Sequence, residues 1–327
     1  MYNARTDLAI ESREMYLQQE SQLTEVPGVK AVEVTCGSDI RVTRVEILDR
    51  QGEENLGKPK GKYITVQFPS GDRSSQKFYE DACQACAKEL CGLIENDIEG
   101  PILVIGLGNR NITADALGPK TVDSVLITRH LLEYMPEEID SRLRPVCAVA
   151  PGVLGLTGVE TGEIVKGLTD RVKPGLIIAI DALCSRRMER INSTIQMSDT
   201  GITPGAGIGN NRMPINQEAL GVPVIAVGVP TVTDAAAIAG DTIDLLTEEL
   251  MNNAKENQPL YKMLSTLAEE DKYSVIKELL SPLHGDFVVT PKEIDSLVED
   301  ISRIIANGIN IALHQGITLE DIDRYNR

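Results

Sequence analysis

Residues 101–119 read PILVIGLGNRNITADALGP. The first part, 102–107, is apolar and β-branched, and it is too short for a globular helix. It reads as a strand buried on both faces, the kind a parallel sheet uses. A Gly/Asn/Thr loop follows and ends in Asp115-Ala116-Leu117-Gly118-Pro119. Beyond it, Val122, Val125, Leu126, Leu131, Leu132 and Met135 recur at helical spacing, predicting a helix over 119–135. Asp115 is thereby delivered on the loop leaving the C-terminal edge of a buried strand, where open α/β sheets place their chemistry.

Downstream the order stays strand, helix, strand. Strand 146–150 leads through a Gly-rich loop to a helix near 162–171, then to strand 176–180, which ends in Asp181-Ala182-Leu183. After a polar stretch (185–214), plainly irregular at 201–209, come strand 222–227 and a helix over 234–250. That alternation implies parallel pairing through right-handed crossovers. Upstream, a weak apolar stripe predicts a helix over 8–23. Period-two alternation predicts a hairpin at 29–34 and 40–48, and another strand at 63–68 after a loop at 52–62. A helix at 73–95 carries Cys83, Cys86 and Cys91. A linker at 253–259 precedes a helical segment at 260–280 and a last helix, whose start Thr290-Pro291-x-Glu293 has the form of a capping box. The expected architecture is one α/β sandwich with a small antiparallel appendage at about 29–70 and a helical C-terminal segment at about 260–327.

The chain of 327 residues, 42% hydrophobic and 25% charged, is long enough for a sizeable core. Aromatic residues are only 3% and Trp is absent, so that core must be aliphatic. A formal charge of −17 argues against direct nucleic-acid binding, which needs a basic surface. No run of 18 apolar residues marks a membrane span, and the N-terminus lacks the apolar core of a secretory signal. Six cysteines without a repeated framework fit a reducing, cytoplasmic location.

Two acids carry the chemical signal. Asp115 and Asp181 each follow a buried parallel strand and precede Ala-Leu. If those strands are neighbours, both carboxylates meet in one crevice. Two acids held close do not both ionise cheaply, so one activates water and the other donates a proton. The bland readings, a helix cap for Asp115 and a structural strand-end acid for Asp181, carry about equal weight on spacing alone. The turn Gly106-Leu107-Gly108-Asn109-Arg110-Asn111 has Asn111 where a dinucleotide fingerprint wants Gly or Ala, so an oxidoreductase is weakly supported. Cys83, Cys86 and Cys91 read better as buried helix residues than as metal ligands. No G-x-S-x-G elbow or H-E-x-x-H pair occurs, and the chain has only His130, His284 and His314. His314 falls in a last helical turn, where a cation favours the helix dipole. Cys184 reads as a core thiol unless an imidazole adjoins it.

These motifs, in order, resemble those of the germination proteases of spore-forming bacteria. The resemblance rests on RTDLAIES at the N-terminus, GLGNRNITADALGP, APGVLGLTGVETGEIVKGL, GLIIAIDALCSR, TGITPGAGIGNNR, GVPVIAVGVPTVTDAA and VVTPKEID. It covers nearly the whole chain.

The resemblance implies an endopeptidase that degrades small acid-soluble spore proteins in the spore core. It implies a three-layer α/β sandwich with a largely parallel sheet, phosphorylase/hydrolase-like and similar to hydrogenase-maturation endopeptidases, assembled as a homotetramer. It implies a zymogen that removes its own propeptide. The self-cleavage pattern (acid, bulky apolar residue, Ala, nearby Glu) falls on Asp7, Leu8, Ala9 and Glu11, so residues 1–7 are the expected propeptide, cut between Asp7 and Leu8, and 8–327 the peptidase domain. The catalytic aspartates fall on Asp115 and Asp181, with no cofactor and no metal ligands expected. Asn109, Arg110, Arg186 and Arg212, together with Arg187, are candidates for binding substrate, the arginines for the acid before the cut. Backbone amides around 106–111 or 201–211 are candidates for oxyanion donors. The alternatives are a metal-assisted maturation-type peptidase on the same fold and a non-enzymatic acidic scaffold that binds spore proteins.

Overall fold

The computed structural model describes residues 6–20, 22–69, 73–94, 98–135, 137, 139–140, 142–205, 212–253, 276 and 287–325. Among them, nine strands form one sheet: β1 (Val29–Cys36), β2 (Ile40–Ile47), β3 (Gly61–Gln67), β4 (Ile102–Gly106), β5 (Val146–Val149), β6 (Leu176–Ser185), β7 (Thr194–Ser198), β8 (Val224–Asp234) and β9 (Val288–Val289). The order is β1-β2-β3-β7-β8-β6-β4-β5, with β9 paired to the end of β8. Strands β5, β4, β6 and β8 are parallel. The antiparallel unit β1–β3 joins them edge-on through β7, which is antiparallel to both β3 and β8.

Both faces of the parallel strands are apolar, and alternate residues go to opposite layers. Ile102, Val104, Ile178 and Ile180 enter the larger core, with α3 (Gln76–Leu93) and α10 (Ile294–Leu313). Leu103, Ile105, Ile177 and Ala179 enter a second core with Val165 of α7 (Thr161–Val172). Each fully buried Ile or Leu contributes about 1.5–3 kcal/mol. This double burial makes a three-layer α/β sandwich with a largely parallel centre, as the apolar runs predict.

Several elements depart from expectation. Helix 119–135 is broken into α4 (Leu117–Val122) and α5 (Arg129–Tyr134). Asn310 of α10 causes this locally: its Oδ1 accepts from the Leu126 amide at 2.8 Å and its Nδ2 donates to the Ser124 carbonyl at 3.1 Å. Loop 52–62 begins as a helical turn, α2 (Arg50–Leu56), capped by Asp49. The first helix, α1, is shorter than expected, Ala9–Gln19. Strand β7 lies within the polar stretch 185–214, where the sequence predicts no strand. The Thr290 box is not realised, since α10 starts at Ile294 and the Thr290 hydroxyl donates to the Thr231 carbonyl at 2.8 Å. His314 is no solvated cation: burial drives its pKa down to about 4, and Nδ1 accepts from the Arg144 amide. The expected helix at 260–280 and the linker before it lie outside the described residues, apart from Ile276 and the end of α9 (Ala235–Asn253).

Candidate functional site

Asp115 closes a 3-10 turn, Thr113–Asp115, immediately after the loop that leaves β4. Its Oδ2 accepts from the Asn109 amide at 2.7 Å, and the Thr231 hydroxyl of β8 ties down the Ala114 carbonyl at 2.6 Å. The loop closes this tightly because Gly108 lies at φ 107°, where a Cβ would stand 2.1 Å from the Asp115 carbonyl oxygen. Gly108 thus serves the approach of Asp115, while Gly106 allows the backbone of Gly118 to come close.

Asp181 does not lie past its strand. It is the sixth residue of β6, paired with Gly228 of β8, and β6 continues to Ser185 because β8 goes on pairing with it past that point. The side chain is 7% exposed and its Oδ1 accepts from the Ala182 amide at 2.9 Å. β4 and β6 are neighbours, so the two acids open into one cavity of about 310 Å³, together with Asp7, Leu183, Cys184 and Arg212. Burial raises the pKa of both acids. For Asp115 the Asn109 amide and the Arg212 charge oppose the rise. For Asp181 the charge of Asp115 adds to it, and the pKa goes well above its ordinary value. The pair thus has one acid disposed to hold a proton and one better able to lose it.

The N-terminal segment is docked beside this cavity. Asp7 pairs like an added strand residue with Cys184: its amide donates to the Cys184 carbonyl at 3.0 Å, and its Oδ2 accepts from the Cys184 amide at 2.8 Å. The register of β6 against β8 shifts between Leu183 and Cys184, a bulge that re-aims this part of the strand. Leu8 is fully buried against Ile10 and Leu183, and Ala9 fully buried against the core of β1–β3. Glu11 accepts from the amides of Arg186 at 2.7 Å and Arg187 at 3.1 Å, with Arg190 Nε 3.8 Å away. The Asp7 carbonyl oxygen accepts from Lys58 Nζ at 3.0 Å and Gln196 Nε2 at 2.9 Å.

The remaining candidates fall in different places. Arg212 faces the acids. Arg110 is paired through two bonds with Asp123 on the surface, at 2.5 and 2.9 Å. The Arg186 guanidinium bonds Asp241 at 3.0 Å, so Arg186 and Arg187 reach the docked segment through backbone amides rather than charge. Asn109 contributes its amide to Asp115, while its side chain accepts from the Asn111 amide. In 106–111 the amides of Leu107, Asn109 and Asn111 are all engaged, which removes them as oxyanion donors; 206–211 lies outside the described residues. Burial pushes the Cys184 thiol up to about 12, so it is no thiolate nucleophile. Cys83 is likewise pushed up to about 12 in the core. Among the described residues no three His, Cys, Asp or Glu side chains converge as metal ligands, so a donor set for the metal-assisted alternative is not assembled there. Sequence reasoning missed Lys58 and Gln196. One sits in a Gly/Lys-rich loop and the other in an unrecognised strand, and only the fold brings them to Asp7.

The fold is thus a doubly covered, largely parallel α/β sheet that carries two acids in one cavity with a peptide segment tethered at its rim. The chain belongs to the germination protease family, whose model matches residues 9–256 and 244–326. It is 50% identical to the germination protease of Clostridium perfringens over 99% of both chains. It is 40% identical to that of Bacillus subtilis over 99% of this chain and 97% of the relative. Among solved structures, the [NiFe] hydrogenase maturation protease of Thermococcus kodakarensis is similar over 68% of this chain and 98% of that one, at 15% identity and a TM-score of 0.33, a likeness too slight to argue from. The protein is accordingly an endopeptidase of spore germination. Among the described residues no helix is long and apolar enough to cross a membrane.

Proposed function

We propose that Asp115 and Asp181 act as a general base and general acid, that the chain cuts itself between Asp7 and Leu8, and that the processed form degrades small acid-soluble spore proteins in the spore core. The observation that carries this reading is the shared cavity of the two acids, rimmed by the residue whose peptide bond is to be cut. Asp115, held by the Asn109 amide and facing Arg212, is the member that ionises and takes a proton from water. Asp181, the deeper and more proton-retentive, hands its proton to the leaving nitrogen. Residues 1–7 act as a propeptide by occupying the rim through Asp7. The working assembly is a homotetramer, and it engages neither nucleic acid nor membrane directly.

The docked segment also supports a rule of substrate choice. The Cys184 amide receives the acid before the cut, a closed apolar pocket the residue after it, and the amides of Arg186 and Arg187 a glutamate three residues further on. The test is the intact mass of the full chain incubated at mildly acid pH. The parent sheds residues 1–7, whereas Asp115→Asn and Asp181→Asn retain them; a chain carrying both substitutions that still trims itself rejects the acid pair.

A further inference from the structure

We infer that Lys58 and Gln196 are catalytic residues that form the oxyanion site of the self-cleavage reaction, gripping the carbonyl oxygen of Asp7. This rests on the reading that the Asp7–Leu8 bond is the one cut.

The geometry is that of a clamp around one peptide group. Lys58 Nζ and Gln196 Nε2 both donate to the Asp7 carbonyl oxygen, at 3.0 and 2.9 Å. The other end of the same Gln196 amide accepts from the Ala9 amide at 2.7 Å, which fixes the residue after Leu8 and orients the donor. The Leu8 amide, which carries the leaving nitrogen, donates to the Thr6 hydroxyl at 3.0 Å. Asp7 lines the cavity of the acids and also an adjoining cavity of about 280 Å³ lined by Lys58 and Gln196. Asp7 thus borders both the cavity of the acids and that of the two donors. Of the loop amides expected for this task at 106–111, those of Leu107, Asn109 and Asn111 are already engaged.

Two donors on one carbonyl do more than anchor a chain. One is a cation brought out of water: burial lowers the Lys58 pKa, opposed by the charges of Asp7 and Glu11. Charge building on the oxygen would be met by donors already in place. The step balances. Water adds to the Asp7 carbonyl carbon and gives one proton to the ionised carboxylate. The π pair moves onto the oxygen held by Lys58 and Gln196. Collapse reforms the carbonyl and breaks the bond to the Leu8 nitrogen, which takes the proton of the second acid.

The experiment uses the full chain. Gln196→Glu, timed at the highest pH at which the parent still processes so that its carboxyl is ionised, keeps the size and the acceptor for the Ala9 amide but removes the donor to Asp7; Lys58→Met removes the cation at similar length. Loss of residues 1–7 is timed by intact mass, and docking of the segment is read separately by hydrogen exchange at the Ala9 amide. We expect cleavage about 10²–10³-fold slower in each variant, with Ala9 protection retained in Gln196→Glu. If Lys58→Met melts early, Gln196→Glu decides alone. Processing of Gln196→Glu at the parent rate, or loss of its Ala9 protection together with cleavage, overturns the clamp. Asp115→Asn run alongside separates the two ideas: an inert Asp115→Asn with a fully active Gln196→Glu leaves the acid pair standing and removes the clamp, whereas the reverse pattern removes the acid pair and leaves the clamp.

Discussion

Asp115 raises the proton affinity of Asp181: the two open into one cavity, and the charge of the first adds to the burial of the second. A buried carboxyl so placed prefers to be neutral, and that preference has a consequence for stability. The folded pKa of Asp181 lies above the usual 3.8 that applies to the unfolded chain, so folding is favoured by the bound proton. That contribution is complete below pH 3.8 and is lost as pH rises through the folded value. Asp181→Asn cannot ionise and keeps a side-chain oxygen for the Ala182 amide. Thermal melts should place it above the parent at pH 8, with the gap closing on acidification. A variant less stable than the parent at pH 8 would contradict the assignment of Asp181 as the proton holder.

Gly108 makes the Asp115 loop close. At φ 107°, with a new Cβ 2.1 Å from the Asp115 carbonyl oxygen, Gly108→Ala must push the loop off β4. A strained backbone at such a position costs about 1–3 kcal/mol. Urea unfolding should show a loss in that range, and self-processing should fall with it because the carboxylate moves. Gly155, where a Cβ meets nothing within 4 Å, supplies the control; its alanine variant should do neither.

Glu11 is 1% exposed, and its carboxylate is received by two consecutive amides. Bonds to a charged group contribute about 1.5–3 kcal/mol, and Glu11→Ala also leaves those amides without their acceptor. The segment 7–11 should undock in that variant. Exchange at the Leu8 and Ala9 amides should quicken, and cleavage at Asp7–Leu8 should slow at least tenfold. Normal cleavage with a lost carboxylate would show that the glutamate is not read.

The parallel centre was legible because 102–107 and 176–180 are β-branched runs with no polar residue, and only a doubly covered strand tolerates them. The meeting of Asp115 and Asp181 followed once those strands were neighbours. Other features rest on contacts between residues far apart in the chain. Asp181 reads as a strand end because LIIAI stops before it, yet β8 continues the pairing past that point. TIQMS (194–198) has polar alternates that mimic an exposed segment. In the fold Thr194, Gln196 and Ser198 are buried, and Gln196 spends its amide on Asp7 and Ala9. The break between α4 and α5 depends on Asn310, and no local pattern announces a partner that distant. Lys58 carries no signal of its own. Lysines in Gly-rich loops are usually solvated, and this one reaches the Asp7 carbonyl only because the N-terminal segment lies over it.

His314 sets a limit on acid conditions from the opposite direction. It caps α10, is 1% exposed, and its Nδ1 accepts from the Arg144 amide, which requires that nitrogen to be unprotonated. Burial, with help from the Arg144 charge, lowers its pKa from 6.5 to about 4. The sign is the reverse of that for Asp181. The unfolded chain takes the proton first, so stability from His314 is present above pH 6.5 and drains away as pH falls toward 4. A shift of that size corresponds to about 3 kcal/mol between the two ends of the window. His314→Gln has no such titration. Its melting temperature should be lower than that of the parent at pH 7.5, because a fitted ring is lost, and should change less between pH 7 and pH 4.5. Parallel slopes for the two proteins across that window would mean that His314 does not carry the acid sensitivity of the α10 end.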